Sequence, residues 1–256
     1  SVRGAMAGVA NTCTVRGVIE SVVVLPQHVQ AFARLSAVRV DGRVWSQLRR
    51  LRAVAMVVIG FMAFLRKSEV TMLDRCDVVR EANCTKVRVC KAKNDPAGRG
   101  RQSIIGAGCG DSAELEQAIW DWVDVGCPAV STQCTKAANP RARCTACGPL
   151  FVRLGGRDVR VTKTPIAKNT LTTKLRGLYH GAQAAGVVED SFDPRRVSAI
   201  SLRRGGNTAA TAAGCSAILR AAAGRWRSVD TPDQSYVFLH ETEMVGMATT
   251  MLQPRL

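Results

Sequence analysis

Along this chain, apolar residues recur at helical spacing in several stretches and alternate in one. The segment PQHVQAFARL opens with Pro26, suited to a first helical turn, and carries apolar positions three and four apart, so a helix is predicted there. A second helix is predicted from about Val44 through Leu65. It opens amphipathic, with Arg49, Arg50 and Arg52 outward, and becomes wholly apolar over AVAMVVIGFMAFL, residues 53–65. That run is shorter than the roughly 20 residues a membrane span needs, which makes it a buried core helix. CTKVRVCKAK alternates with Val87 and Val89 on one face, NDPAGRGR has turn composition, and QSIIGA returns as a second strand; together they predict a β-hairpin with a basic tip. SAELEQAIWDWVDVG reads as a helix with Ser112 as N-cap and Glu114 in its first turn. AKNTLTTKLRGLYHGAQAAGV predicts another, and three short helices follow at about 197–213, 215–223 and 232–246. No repeat period is visible. The expected fold class is mainly α with a small antiparallel β-sheet. Residues 1–24 carry little periodicity and read as a linker or the tail of a further domain, and 25–256 as one domain.

Charge changes this picture. The chain carries 36 Lys plus Arg against 20 Asp plus Glu, a formal net charge of +16. Such a surplus points to a polyanionic partner, nucleic acid first. A membrane surface would call for a basic amphipathic helix or a lipid anchor, and neither pattern is present. Ten cysteines are spread irregularly, unlike a secreted disulfide framework. Cys90 and Cys215 sit in apolar contexts, where cysteine behaves as a small hydrophobe. Cys127, Cys134, Cys144 and Cys147 form a denser group ending in a C-x-x-C pair. A zinc site is one reading of it, but the first spacing is not that of a standard finger half. The other reading is a Cys-rich surface insertion near 127–147, kept reduced inside a cell, with no metal and no cofactor.

The most concentrated signal is SAISLRRGGNTAATAAG, residues 198–214. From Arg195 to Arg227 there are seven arginines and no Asp, Glu or Lys. With no local acid to pair them, the arginines suit phosphate, which guanidinium grips in a forked, two-bond geometry. Downstream stand GRWRS at 224–228 and a tyrosine, Tyr236, in DQSYVFLHET. Upstream, FMAFLRKSEVTML places Arg66 three residues before Glu69 at the end of the apolar run, and KAKNDPAGRG places Lys93, with Lys91 as the weaker candidate, on the predicted hairpin.

These four separated motifs, in this order, resemble those of the tyrosine recombinases, or phage-type integrases, and most of all the eukaryotic mobile-element (Crypton-like and DIRS-like) branch. There the second catalytic box reads approximately H-S-L-R-x-G-G-x-T and a G-R-W-x-S box leads to the nucleophile. The resemblance covers roughly residues 25–245. It implies a mainly α catalytic domain that breaks and rejoins DNA through a covalent 3′-phosphotyrosyl intermediate, needing neither ATP nor metal. It implies that Arg66 and Arg203 clamp the non-bridging oxygens and that Tyr236 attacks phosphorus. Lys93 protonates the departing 5′-hydroxyl, Trp226 donates its indole N–H to phosphate, and Glu69 orients Arg66. Arg204, Arg225 and Arg227 are expected to bind DNA. Residues 1–24 become the remnant of an N-terminal DNA-binding domain. Double-stranded DNA is the implied partner, a homo-tetramer on paired sites the implied assembly, and the nucleus, or wherever the host DNA lies, the implied location. One departure stands out: the family's histidine falls on Ile200, which can neither accept nor donate a proton. A weakened or inactive relative that only binds DNA is therefore the alternative.

Overall fold

A computed structural model describes residues 22–90, 100–106, 111–136 and 142–226. Lys93, Arg227, Tyr236 and the helix expected at 232–246 lie outside the described residues.

Fourteen elements, in chain order, build the described part. Helix α1 (Pro26–Arg34) is followed by a minimal hairpin of β1 (Arg39–Val40) and β2 (Arg43–Val44), then α2 (Gln47–Met62) and α3 (Lys67–Met72). A three-stranded antiparallel sheet follows, ordered β3 (Val78–Arg80), β4 (Cys84–Val89), β5 (Arg101–Gly106). Helix α4 (Asp111–Gly126) leads through the Cys-rich insertion to a second hairpin, β6 (Val152–Gly155) with β7 (Arg160–Pro165). Helices α5 (Thr170–Ala184), α6 (Ala199–Ala212) and α7 (Ala217–Gly224) complete it. Among the described residues, no helix is long and apolar enough to cross a membrane.

Helix α2 is the axis of the fold. Every residue from Leu51 to Leu65 is buried, because α1, α4, α5 and α6 all pack on it. An all-apolar helix needs such an all-round neighbourhood to bury its surface. The Ser46 hydroxyl caps its start, accepting from the Arg49 N–H at 3.2 Å. Its end is set by Phe64, which takes a left-handed conformation (φ +50) and turns the chain into α3.

The structure departs from four expectations. Arg52 does not point outward: it is buried and donates to the Val152 carbonyl at 2.5 Å. The cause is the β6–β7 hairpin, which covers that side of α2. Nearby, Arg49 lies over the Trp45 ring and pairs with Asp158 at 3.0 Å. Burial depresses the Arg52 guanidinium to about 10, so it stays charged at neutral pH. Ser112 lies within α4, not at its N-cap, and its hydroxyl donates to the Gly106 carbonyl. Among the described residues there are three small sheets rather than one, since β1–β2 and β6–β7 are too short or too polar to show an alternating pattern. Of the segment read as a linker, residues 22–24 belong to the body: Val24 is fully buried, and the Val22 N–H donates to the Arg196 carbonyl.

Helix α6 lies unusually close to its neighbours. A Cβ added at Gly205 would overlap the Val24 carbonyl, and one at Gly206 the Phe61 carbonyl and the Phe64 ring. The paired glycines thus let the helix backbone rest directly on the end of α2. That approach carries Arg203, two residues earlier, to the Phe64 turn.

Candidate active site

Glu69 is the centre of the candidate site. It stands in the first turn of α3, where a carboxylate is favoured by the unpaired N–H groups of the helix start. One oxygen accepts from the backbone N–H of Arg66 at 2.7 Å, and the other from the Arg66 guanidinium at 2.9 Å. Arg225 donates to the first of these oxygens at 2.9 Å, and Arg203 comes within 3.8 Å of it. One buried carboxylate therefore gathers three guanidiniums from three separated parts of the chain, leaving an excess of positive charge. Burial opposes the Glu69 charge, but Arg225, the Arg66 N–H and the Arg66 guanidinium outweigh it and hold the carboxyl below its usual range.

The three arginines differ in exposure. The Arg66 side chain is 28% accessible, that of Arg203 6% and that of Arg225 1%. Arg203 donates to the carbonyls of Phe64 (2.6 Å) and Gly224, and its guanidinium stacks 4.7 Å from the Trp226 ring. The Trp226 ring in turn stacks on Phe64. Burial, with Arg66 and Arg225 nearby, lowers Arg203 to about 10. It remains a cation at neutral pH, held by these two carbonyl oxygens.

Arg225 corrects an expectation. The sequence suggests a DNA-binding residue, but its guanidinium faces inward. It donates to Ser103 (2.7 Å), to the carbonyls of Ala63, Phe64 and Ala223, and to Glu69. Arg225 itself is in the left-handed region (φ +56), which ends α7 and turns the side chain back into the core. Its role is to tie α7, α2 and the β5 strand to Glu69. Arg204, one residue beyond Arg203 on α6, is exposed. Ile200, one turn before Arg203, is half exposed.

Arg66, Arg203, Trp226 and Glu69 are thus brought together. Lys93 and Tyr236 lie outside the described residues. The hairpin of β4 and β5, which flanks Lys93, is anchored to the site through Ser103. Sequence reasoning passed over Ser103 and Phe64, and neither has a signal in the sequence: one is a plain strand serine, the other a core aromatic whose carbonyl does the work.

This fold, a helical body with small antiparallel sheets, is shared with solved recombinase structures. The particular likenesses are to complexes of the XerH site-specific recombinase. The post-cleavage complex with a palindromic difH substrate superposes with a TM-score of 0.51 at 14% identity, over 81% of this chain and 47% of that one. The pre-cleavage complex with difH gives 0.52 at 14% identity, over 89% and 53%. The chain thus spans about half the length of the recombinase it matches. No family model and no curated protein sequence matches it.

Proposed function

We propose that this chain is the catalytic domain of a site-specific DNA recombinase that cuts and rejoins strands through a 3′-phosphotyrosyl link. The observation that carries the reading is the convergence of Arg66, Arg203 and Trp226, from distant segments, around the Glu69 carboxylate. In a strand cut by tyrosine, charge grows on the two non-bridging oxygens, and catalysis rests on positioning and on cations fixed beforehand. Arg66 and Arg203 supply that charge, with Arg203 held in place by the Gly224 and Phe64 carbonyls. The Trp226 indole N–H donates to the same phosphate.

The nucleophile is Tyr236. The chain has two tyrosines, and Tyr179 is fully buried, with its hydroxyl 2.8 Å from His28 Nδ1 and its acidity suppressed by burial. The Tyr236 oxygen, its proton released to solvent, bonds to phosphorus as the bond to the 5′-oxygen breaks, and Lys93 gives that 5′-oxygen a proton. Rejoining is the reverse attack by a 5′-hydroxyl, so the bond energy is kept and no ATP or metal is consumed. The surplus of +16 charges suits a DNA partner. Exposed Arg204, together with Arg227, serves backbone binding, and paired sites call for a multimer. The GGNT and GRW signatures favour a mobile element of the Crypton or DIRS kind, acting where the host DNA lies, in the nucleus.

A second reading is a relative that binds DNA without cutting it. Ile200 favours it, because it supplies no proton acceptor beside Arg203. The two separate on a pool of nicked duplexes with randomised sequence, in which cleavage releases a short fragment and blocks rejoining. A denaturant-resistant protein–DNA adduct is expected with this chain and none with Tyr236→Phe. Salt-sensitive binding with no adduct in either protein would overturn the first reading and leave the second.

A further inference from the structure

The Cys-rich insertion between α4 and β6 has no apolar interior. Among its described residues, 127–136 and 142–148, the buried ones are Lys136, Cys144 and Cys147. A loop of this length with no aliphatic core needs another source of order. Its end runs beside the exit of α3: the Arg75 N–H donates to the Gly148 carbonyl at 2.9 Å, and the Leu150 N–H to the Leu73 carbonyl at 2.9 Å. That pairing brings Cys76, on the short turn Arg75–Asp77, against the insertion. The sulfurs of Cys76, Cys134, Cys144 and Cys147 all lie within 4.8 Å of one another, with Cys134 and Cys144 3.7 Å apart.

Four thiolates around one zinc ion, each about 2.3 Å from it, sit at tetrahedron edges of about 3.8 Å. The observed spacing fits one ion and is too long for a disulfide, whose sulfurs lie about 2.05 Å apart. The local backbone also suits a metal knuckle. The Cys147 N–H donates to the Cys144 sulfur at 3.4 Å, and the Gly148 N–H to the Cys144 carbonyl at 2.8 Å. Gly148 follows the C-x-x-C pair at φ +70, a conformation glycine adopts freely. Cys127, placed by spacing in the group, is not part of it: its thiol donates to the Leu150 carbonyl. Cys76 takes its place from 58 residues upstream of Cys134, which is why spacing alone did not show a zinc pattern.

We propose that Cys76, Cys134, Cys144 and Cys147 hold one structural zinc ion that staples the insertion to the exit of α3, the helix bearing Glu69. All four positions are protein sulfurs, so no site is left open for substrate, and the ion serves folding rather than chemistry. The clamp beside it is built to match: Arg143 donates to the carbonyls of Thr71 and Leu73 and to Asp74, while Lys136 pairs with Asp74 at 2.5 Å.

The test uses the whole chain, purified reduced and without chelator. Elemental analysis is expected to find about one zinc per chain. Cys76→Ser and Cys144→Ser should lose it, while Cys127→Ser and Cys215→Ser keep it. Because a variant can fail to fold, the unaltered protein is also stripped and titrated with cobalt(II). Intense thiolate-to-cobalt absorption saturating at one equivalent supports the site. Absence of zinc together with absence of cobalt–thiolate bands overturns the proposal. So does zinc that survives Cys76→Ser but is lost in Cys127→Ser, or a thiol count showing these cysteines paired in disulfides. None of these readings depends on DNA cleavage.

Discussion

Replacing Glu69 by glutamine is expected to lower the melting temperature by about 10 °C. The amide keeps the shape of the carboxyl but removes its charge from among three guanidiniums. Arg225, 1% exposed, then loses its buried counter-charge. Breaking a buried pair by removing one partner costs about 3–5 kcal/mol, and a domain of this size shifts by about 2–4 °C per kcal/mol. Surface pairs such as Arg34 with Asp111 and Glu114 on α1 and α4 offer the control, since exposed pairs are worth about 1 kcal/mol or less. The same carboxylate gives a pH signature. Its folded value lies below its unfolded value of about 4.3. Its stabilisation is therefore fully present above the unfolded value and is lost as pH falls through the folded one. Thermal melts from pH 7 downward should show the unaltered protein losing stability on the acid side more steeply than Glu69→Gln. A variant that melts within a degree or two of the parent would show that Glu69 is not what holds the arginines.

Ile200→His is expected to increase the rate of covalent adduct formation by about a hundredfold, the usual worth of one well-placed proton acceptor or donor. The position is half exposed in the first full turn of α6, one turn before Arg203. Helical spacing puts an imidazole there on the same side of α6 as Arg203. Stability should change by no more than about 0.5 kcal/mol, as for other surface substitutions. Ile200→Ala separates chemistry from relief of bulk: it should give no gain. Equal rates for the histidine variant and the parent would mean that another group already does this work, or that the site does not sit at the phosphate.

How much of this was legible beforehand follows the physics of each feature. The apolar run 53–65 announced a buried helix because burial on all sides demands it, and the β4–β5 hairpin announced itself by alternation. The site motifs were legible because Arg66–Glu69 and Arg203–Gly205–Gly206 combine charge with backbone requirements, and the glycines prove to set the close approach of α6 to α2. What escaped depends on pairing across the fold. Arg52 and Arg225 look like surface cations in sequence, yet both are buried because distant carbonyls, and for Arg225 a carboxylate, receive them. The β6–β7 hairpin is too exposed to alternate. Cys76 is isolated in sequence, and only the pairing of residues 73–75 with 148–150 brings it to Cys134, Cys144 and Cys147.

The central claim is that Arg203 neutralises the charge that grows on one DNA phosphate. It is tested most directly with Arg203→Ala on a nicked duplex whose scissile phosphate is either natural or a neutral methylphosphonate. On natural phosphate the variant should form adduct at least about a hundredfold more slowly than the parent. On methylphosphonate, where a non-bridging charge is already gone, the variant should recover most of that loss. A variant that cuts natural phosphate at the parental rate, or that stays folded yet gains nothing from the neutral linkage, would contradict the account.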